Sequence, residues 1–310
     1  MSAALTLCGV VKEYGRRRAL DGLDLEVPRG AVFGLVGSNG AGKTTAMAVS
    51  VGLLRAAAGS CDLLGMGPFR AETHAGKVSL LPQDSRFPPH ARVVDLLDYY
   101  SRLQGIPDDR RAAGIEELLA WVHLADRACS PVRTLSHGMN RRLAIAQAFL
   151  GEPELILLDE PLNGLDPREA ARIRDLIRER RGRQTIVISS HNLGDIEILC
   201  DRVAFIERGR LVRQDTLERI VHRSHRLTYV LAGAVPVELL RREVPGVEWQ
   251  VSGGGRELAA SYTEPWTAQS LNARVVPLLL SSAELLEIRR GSDLESEYLS
   301  LTPPLPPPLG

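Results

Sequence analysis

Residues Gly37-Ser38-Asn39-Gly40-Ala41-Gly42-Lys43-Thr44 form a complete G-x-x-x-x-G-K-T, which restricts the chain to an α/β fold built around a phosphate. An apolar run over 31–36 precedes the octet and predicts a buried strand. A stretch rich in Ala, Met, Val and Leu follows it and predicts a helix over 44–54. The glycines let backbone N–H groups converge on an anion where a Cβ would intrude. The helix start adds unpaired N–H groups and the positive end of its dipole. Lys43 then supplies a compact charge for the β- and γ-phosphates, and Thr44 a hydroxyl for Mg²⁺. The loop implies a bound nucleotide.

The lysine usage supports this. Of 38 basic residues only positions 12, 43 and 77 are Lys, and the rest are Arg. Surface charges tolerate either residue, but a phosphate loop needs a point charge rather than a planar guanidinium. Acidic residues also number 38, so the net charge is zero, which argues against broad electrostatic binding to nucleic acid. The four cysteines have no C-x-x-C spacing and read as reduced thiols. No apolar run approaches the ~20 residues that cross a bilayer, and the N-terminus lacks a signal-peptide pattern. A cytosolic protein is expected, with any membrane role supplied by a partner.

Leu155-Ile156-Leu157-Leu158 reads as a strand buried on both faces, followed by Asp159 and Glu160 at its carboxyl end. Open α/β sheets bind ligands at that end. Asp159 would hold Mg²⁺ directly or through water, and Glu160 would orient or deprotonate the attacking water. A further strand, 185–190, ends in His191, which is either an ordinary polar residue or a neutral imidazole donating to the γ-phosphate. Ser136, ahead of the helical stretch 143–150, is either a simple helix cap or, with Gly138, part of a second anion site. Spacing alone does not choose between these.

In this order the motifs resemble the ATP-binding cassette (ABC) family, the ATPase subunits of ABC transporters, over residues 5 to about 220. Gln83, within Leu80-Leu81-Pro82-Gln83-Asp84, is similar to the Q-loop glutamine that contacts Mg²⁺. Leu135-Ser136-His137-Gly138-Met139 resembles the signature Leu-Ser-Gly-Gly-Gln, with His137 in place of the first glycine and Met139 in place of glutamine. Pro161-Leu162-Asn163-Gly164-Leu165-Asp166 is similar to the D-loop, His191 to the switch histidine, and Tyr14 to the aromatic that stacks on adenine. The resemblance implies a P-loop NTPase fold of ABC type in a domain over 1–222, with a helical subdomain at about 84–154. It implies Glu160, His191 and Lys43 as catalytic residues. It implies Tyr14, residues Gly37 to Thr44, Thr45, Ser136 and Gly138 as nucleotide contacts, and Thr44, Gln83 and Asp159 as Mg²⁺ ligands.

The signature variant is similar to the branch serving drug, lipid and polysaccharide exporters. There a separate integral membrane permease forms the pore, and two cassettes close head to tail on ATP. A homodimer on the inner face of the cell membrane is therefore implied, without nucleic acid. The alternatives are a non-transport ABC ATPase acting on ribosome or DNA, and an importer subunit. The segment from Phe87 to His90 would pass motion to the permease.

Beyond residue 222 the phosphate motifs stop. Strands at 227–231 and 284–289, a hairpin of 248–251 with 258–262 around Gly253-Gly254-Gly255, and helices at 237–244, 269–280 and 292–301 predict a small α+β domain over 223–302 in a ferredoxin-like order. Residues 303–310 read as an extended proline-rich tail.

Overall fold

The computed structural model describes residues 2–222, 226–233, 235–263 and 265–290, with Leu294 and Tyr298. Most of the helix expected over 292–301, and the proline-rich tail, lie outside the described residues. The chain divides into two compact units, Met1–Asp215 and Thr216–Gly310.

The first unit opens with β1 (Ala3–Tyr14) and β2 (Arg17–Pro28), an antiparallel pair. Next come β3 (Val32–Val36), α1 (Lys43–Ser50) and β4 (Ala58–Leu63), which pairs with β1 to complete a three-stranded sheet. Leu5, Leu7, Leu20, Leu23 and Leu63 of this sheet pack in one core with Phe33, Leu35, Ala46 and Met47 of β3 and α1. The helix stops at Ser50, earlier than its apolar composition suggests, because Gly52 turns left-handed at φ 73° just beyond the end.

A short α2 (Ala71–His74) leads to β5 (Val78–Leu81) and then to the helical insertion. This holds α3 (Val93–Leu103), α4 (Asp108–Trp121) and α5 (His137–Phe149). Val93, Leu96 and Leu97 of α3 and Ile115, Leu118 and Leu119 of α4 are the buried stripes that helical spacing puts on one face. Trp121 meets Phe149 edge-on at 4.9 Å. Ser136 caps α5 by accepting from the Met139 N–H at 3.2 Å.

The remaining elements are β6 (Leu155–Asp159), α6 (Pro167–Glu179), β7 (Thr185–Ser190), α7 (Leu193–Leu199), β8 (Arg202–Glu207) and β9 (Arg210–Thr216). Asp166 caps α6 by accepting from two main-chain N–H groups, with Pro167 in the first turn. Six strands form the main sheet in the order β5-β6-β7-β3-β8-β9. The pairs β5/β6, β6/β7, β7/β3 and β3/β8 are parallel. Strands β3, β6 and β7 are buried along their whole length, as strands covered on both faces must be.

The second unit contains α8 (Leu217–His222), β10 (Arg226–Leu231), α9 (Val237–Glu243), β11 (Val247–Ser252), β12 (Glu257–Tyr262), α10 (Ala268–Leu280) and β13 (Leu285–Arg290). From β10 on, the order is β-α-β-β-α-β, and the sheet runs β11-β12-β10-β13 with all pairs antiparallel, the ferredoxin-like arrangement. Leu227, Tyr229 and Leu231 alternate inward against Leu240, Leu271, Val275 and Leu279. Burial pushes the Tyr229 phenol pKa up, and its hydroxyl donates to Asn272 Oδ1 at 2.8 Å. Residues 217–222, placed with the first domain by sequence, fall in this unit. No helix among the described residues is long and apolar enough to cross a membrane.

Leu157 is fully buried between β5 and β7. Leu157→Ala should cost about 3 kcal/mol, read from the first urea transition followed by circular dichroism. A loss under about 1 kcal/mol would contradict its packing.

Candidate functional site

Parallel pairing brings the carboxyl ends of the central strands to one edge. Val36 of β3 pairs with Ser190 of β7, and Ser189 pairs with Asp159 of β6. The phosphate loop, the paired acids and His191 therefore leave the sheet side by side, with β7 between the other two. Gln83 follows β5 at the same edge.

The phosphate loop is held by close approach. A Cβ on Gly37 would run into the Ile206 carbonyl oxygen, and one on Gly42 would lie 2.7 Å from the Ala19 carbonyl. Gly42 has φ 113° and stands at the start of α1, so a side chain there is excluded twice over. Ala41 accepts from the Gly209 N–H at 2.8 Å, and Gly209 accepts from the Asp21 N–H at 3.0 Å, which ties the loop to β2. Ser38, Asn39, Gly40 and Thr44 are exposed, and Thr45 is half-buried.

Lys43 is buried and donates to the Gly37 carbonyl at 2.7 Å and the Ser38 carbonyl at 3.2 Å. Burial pulls its pKa down, against the opposing pull of Glu160, Asp159 and Glu207. Ser38 Oγ donates to Glu207 at 3.0 Å. Tyr14 stands half-exposed at the tip of the β1–β2 hairpin, with Lys12 Nζ 5.2 Å from its ring centroid. Arg17, its hairpin partner, lies over Gly40.

Both acids are buried, Asp159 to 1 % exposure and Glu160 to 7 %. Ser189 Oγ donates to Asp159 Oδ1 through a short hydrogen bond and accepts from the Glu160 N–H at 2.9 Å. Asp159 Oδ2 is buried without a protein hydrogen-bond partner. Glu160 is left-handed at φ 50°, rare for a residue with a Cβ. Its Oε2 lies 2.8 Å from His191 Nδ1.

That contact sets Nδ1, rather than Nε2, against the carboxylate. With Glu160 ionised, Nδ1 must carry the proton, so a neutral ring has only an acceptor at Nε2.

Ser136 and Gly138 lie at the start of α5, against the 161–165 turn. The position of a Cβ on Gly138 meets nothing nearer than Leu165 at 4.0 Å. His137 has a structural counterpart, because its Nε2 would be 2.5 Å from a Cβ on Gly164, which is left-handed at φ 78°. The signature histidine thus rests on a residue that has no side chain. Gln83 is exposed and lines a cavity of about 410 Å³ with Asp84, His137, Asn140, Arg141 and Asn163.

Sequence reasoning missed two residues here. Ser189 joins both acids, and its only signal was a hydroxyl near the end of an apolar strand. Arg141 is 7 % exposed and forks from α5 into the site, donating to the carbonyls of Pro82, Gln83, Asp159, Glu160 and Pro161. It reads locally as one surface arginine among many.

A family model described as ABC transporter matches residues 20–163. The daunorubicin resistance ATP-binding protein DrrA3 of Streptomyces coeruleorubidus is 35% identical over 306 residues, covering 96% of both chains. The Nod factor export ATP-binding protein I of Cupriavidus metallidurans is 32% identical over 308 residues, 97% of this chain and 98% of that one. A solved ATP-binding subunit of an ABC transporter superposes with a TM-score of 0.65 at 26% identity, over 70% of this chain and 91% of the other. A dimeric ATP-binding cassette bound to ADP and Pi shares the fold, with a TM-score of 0.63 at 20% identity over 69% and 98% of the two chains. Motif order, sheet topology and a full-length match to these relatives agree: the chain belongs to the ABC transporter family as an ATP-binding, ATP-hydrolysing subunit.

Proposed function

We propose that this chain powers a membrane exporter, with two copies closing on ATP and acting on a separate integral membrane permease. The observation that carries the catalytic reading is the buried Glu160 carboxylate, held 2.8 Å from His191 at the strand edge beside Lys43 and Asp159. Drug-resistance and Nod-factor-export relatives matched over nearly their whole lengths favour export over the importer reading and over an ATPase of ribosome or DNA.

Residues Gly37 to Thr45 cradle the triphosphate, Lys43 neutralises its β- and γ-oxygens, and Tyr14 stacks on the base. Glu160 orients and deprotonates the attacking water, and His191 steadies that carboxylate while facing the γ-phosphate. The donor set fits Mg²⁺, because the unpartnered Asp159 Oδ2 is a hard anionic oxygen suited to that ion. Thr44, Gln83 and Asp159 would hold it, and when bound it would draw negative charge from the phosphate oxygens.

Ser136 and Gly138 serve the ATP of a second copy, since the start of α5 is exposed and unfilled at Gly138. Closure is then the working stroke, favoured by ATP and released by hydrolysis. Phe87, Tyr99, Tyr100 and Leu103 form the permease-facing patch. Phe87 and Tyr99 each meet Tyr100 edge-on, and Tyr99 and Leu103 are more than half exposed. The chain works at the cytoplasmic face of the membrane, held there by the permease. Co-purification from membranes with a polytopic protein tests this partner, and ribosome co-sedimentation without one would overturn it.

Glu160→Gln should keep MgATP affinity, lower kcat roughly a thousandfold and accumulate an ATP-bound dimer in light scattering. Hydrolysis near the parent rate would remove Glu160 from its role. Lys43→Ala should weaken ATP binding as well as turnover in titration calorimetry, and unchanged affinity would contradict the loop assignment. Ser136→Ala should slow hydrolysis but leave ATP binding to monomers intact. Weaker binding to the monomer would disprove the two-copy site.

A further inference from the structure

The signature helix and the catalytic acid of the same chain meet at one side chain. Arg141 lies in the first turns of α5, four residues beyond the start of that helix. Its guanidinium is buried, and each of its five N–H groups has a main-chain acceptor. Nε donates to Pro161 at 3.1 Å. Nη1 donates to Pro82 at 3.3 Å and to Gln83 at 3.0 Å. Nη2 donates to Asp159 at 2.8 Å and to Glu160 at 2.6 Å. A planar fork with five donors can meet this set of carbonyls, and a lysine ammonium with three donors at one point cannot.

Two of those carbonyls flank the strained residue. The Glu160 peptide is gripped from one side by Ser189, through Oγ and the main-chain carbonyl, and from the other by Arg141. The left-handed φ of Glu160 persists because both neighbours over-determine it. The Gln83 main chain hangs on the same guanidinium, so the Q-loop and the acid share an anchor on α5.

We infer that Arg141 is a positioning residue: it sets the Glu160 carboxylate, and it transmits the position of the signature helix to the catalytic acid and the Q-loop of its own chain. This rests on the proposed role of Glu160 and on the two-copy site. When the start of α5 engages ATP held by the second copy, any displacement of the helix reaches Glu160 and Gln83 through one rigid, fully bonded group. Each chain's acid is thereby poised by the nucleotide bound to its partner. The adjacent Arg142 is turned elsewhere, donating to the Val122 and His123 carbonyls of the helical insertion.

The test measures full-length Arg141→Lys and Arg141→Met for MgATP affinity, kcat, the dependence of rate on ATP concentration, and thermal unfolding. In the folded variants kcat should fall roughly a hundredfold for Met and less for Lys, with the dissociation constant for MgATP within about threefold of the parent. The cooperativity of the rate with ATP should fall toward one. If Arg141→Met fails to fold, the Lys variant, which keeps the charge, decides. A folded variant that hydrolyses at the parent rate, or one that loses affinity and kcat in the same proportion, would overturn the inference. Glu160→Gln is run in parallel. If it hydrolyses normally, the catalytic assignment itself falls; if it is inactive while the Arg141 variants are active, only this inference does.

Discussion

The hydrogen-bonded register between β6, β7 and β3 is the constraint on which the rest of the structure depends. Asp159 pairs with Ser189 and Ser190 with Val36, so three chemically distinct segments leave the sheet within a residue of the same level. Because side chains alternate along a strand, a slip of one residue would turn Asp159 to the opposite face and separate it from Ser189. All three strands are buried throughout, and the apolar packing on both faces resists that slip.

Two kinds of residue share the site. Lys43, Asp159, Glu160 and Arg141 are buried, where charges are screened less and hydrogen bonds hold geometry more strictly. Ser189 and Arg141 clamp the Glu160 main chain, and His191 meets its carboxylate, which would leave little reorganisation for the reaction proposed above. Tyr14, Thr44, Gln83 and Ser136 are exposed. The buried half is held by hydrogen bonds and the exposed half faces solvent, a division that suits the proposed cycle of closure and release.

Much of the site was legible in the sequence because its chemistry demands particular residues at short spacing. A phosphate loop needs glycines where Ile206 and Ala19 come close, and a lysine at its end. An acid pair after four branched apolar residues marks a strand's carboxyl end. The Ser136 cap is a local hydrogen bond, so local sequence carries it. Ser189, Arg141 and the contact of His137 with Gly164 were not legible, since each depends on partners far along the chain. The contact of His191 Nδ1 with Glu160 was not legible either, because it joins residues 31 apart in the chain.

The sequence by itself determined the three central strands β3, β6 and β7, where the phosphate and acid motifs lie on them, and the β-α-β-β-α-β order of the second unit, because periodicity and capping act within a few residues. Only the tertiary structure decided the strand orders, the placement of β7 between the phosphate loop and the acids, and the convergence of five carbonyls on Arg141. Pairing between distant strands and the saturation of a buried guanidinium follow from how the whole chain minimises exposed apolar surface and unpaired polar groups, and no local pattern encodes that balance.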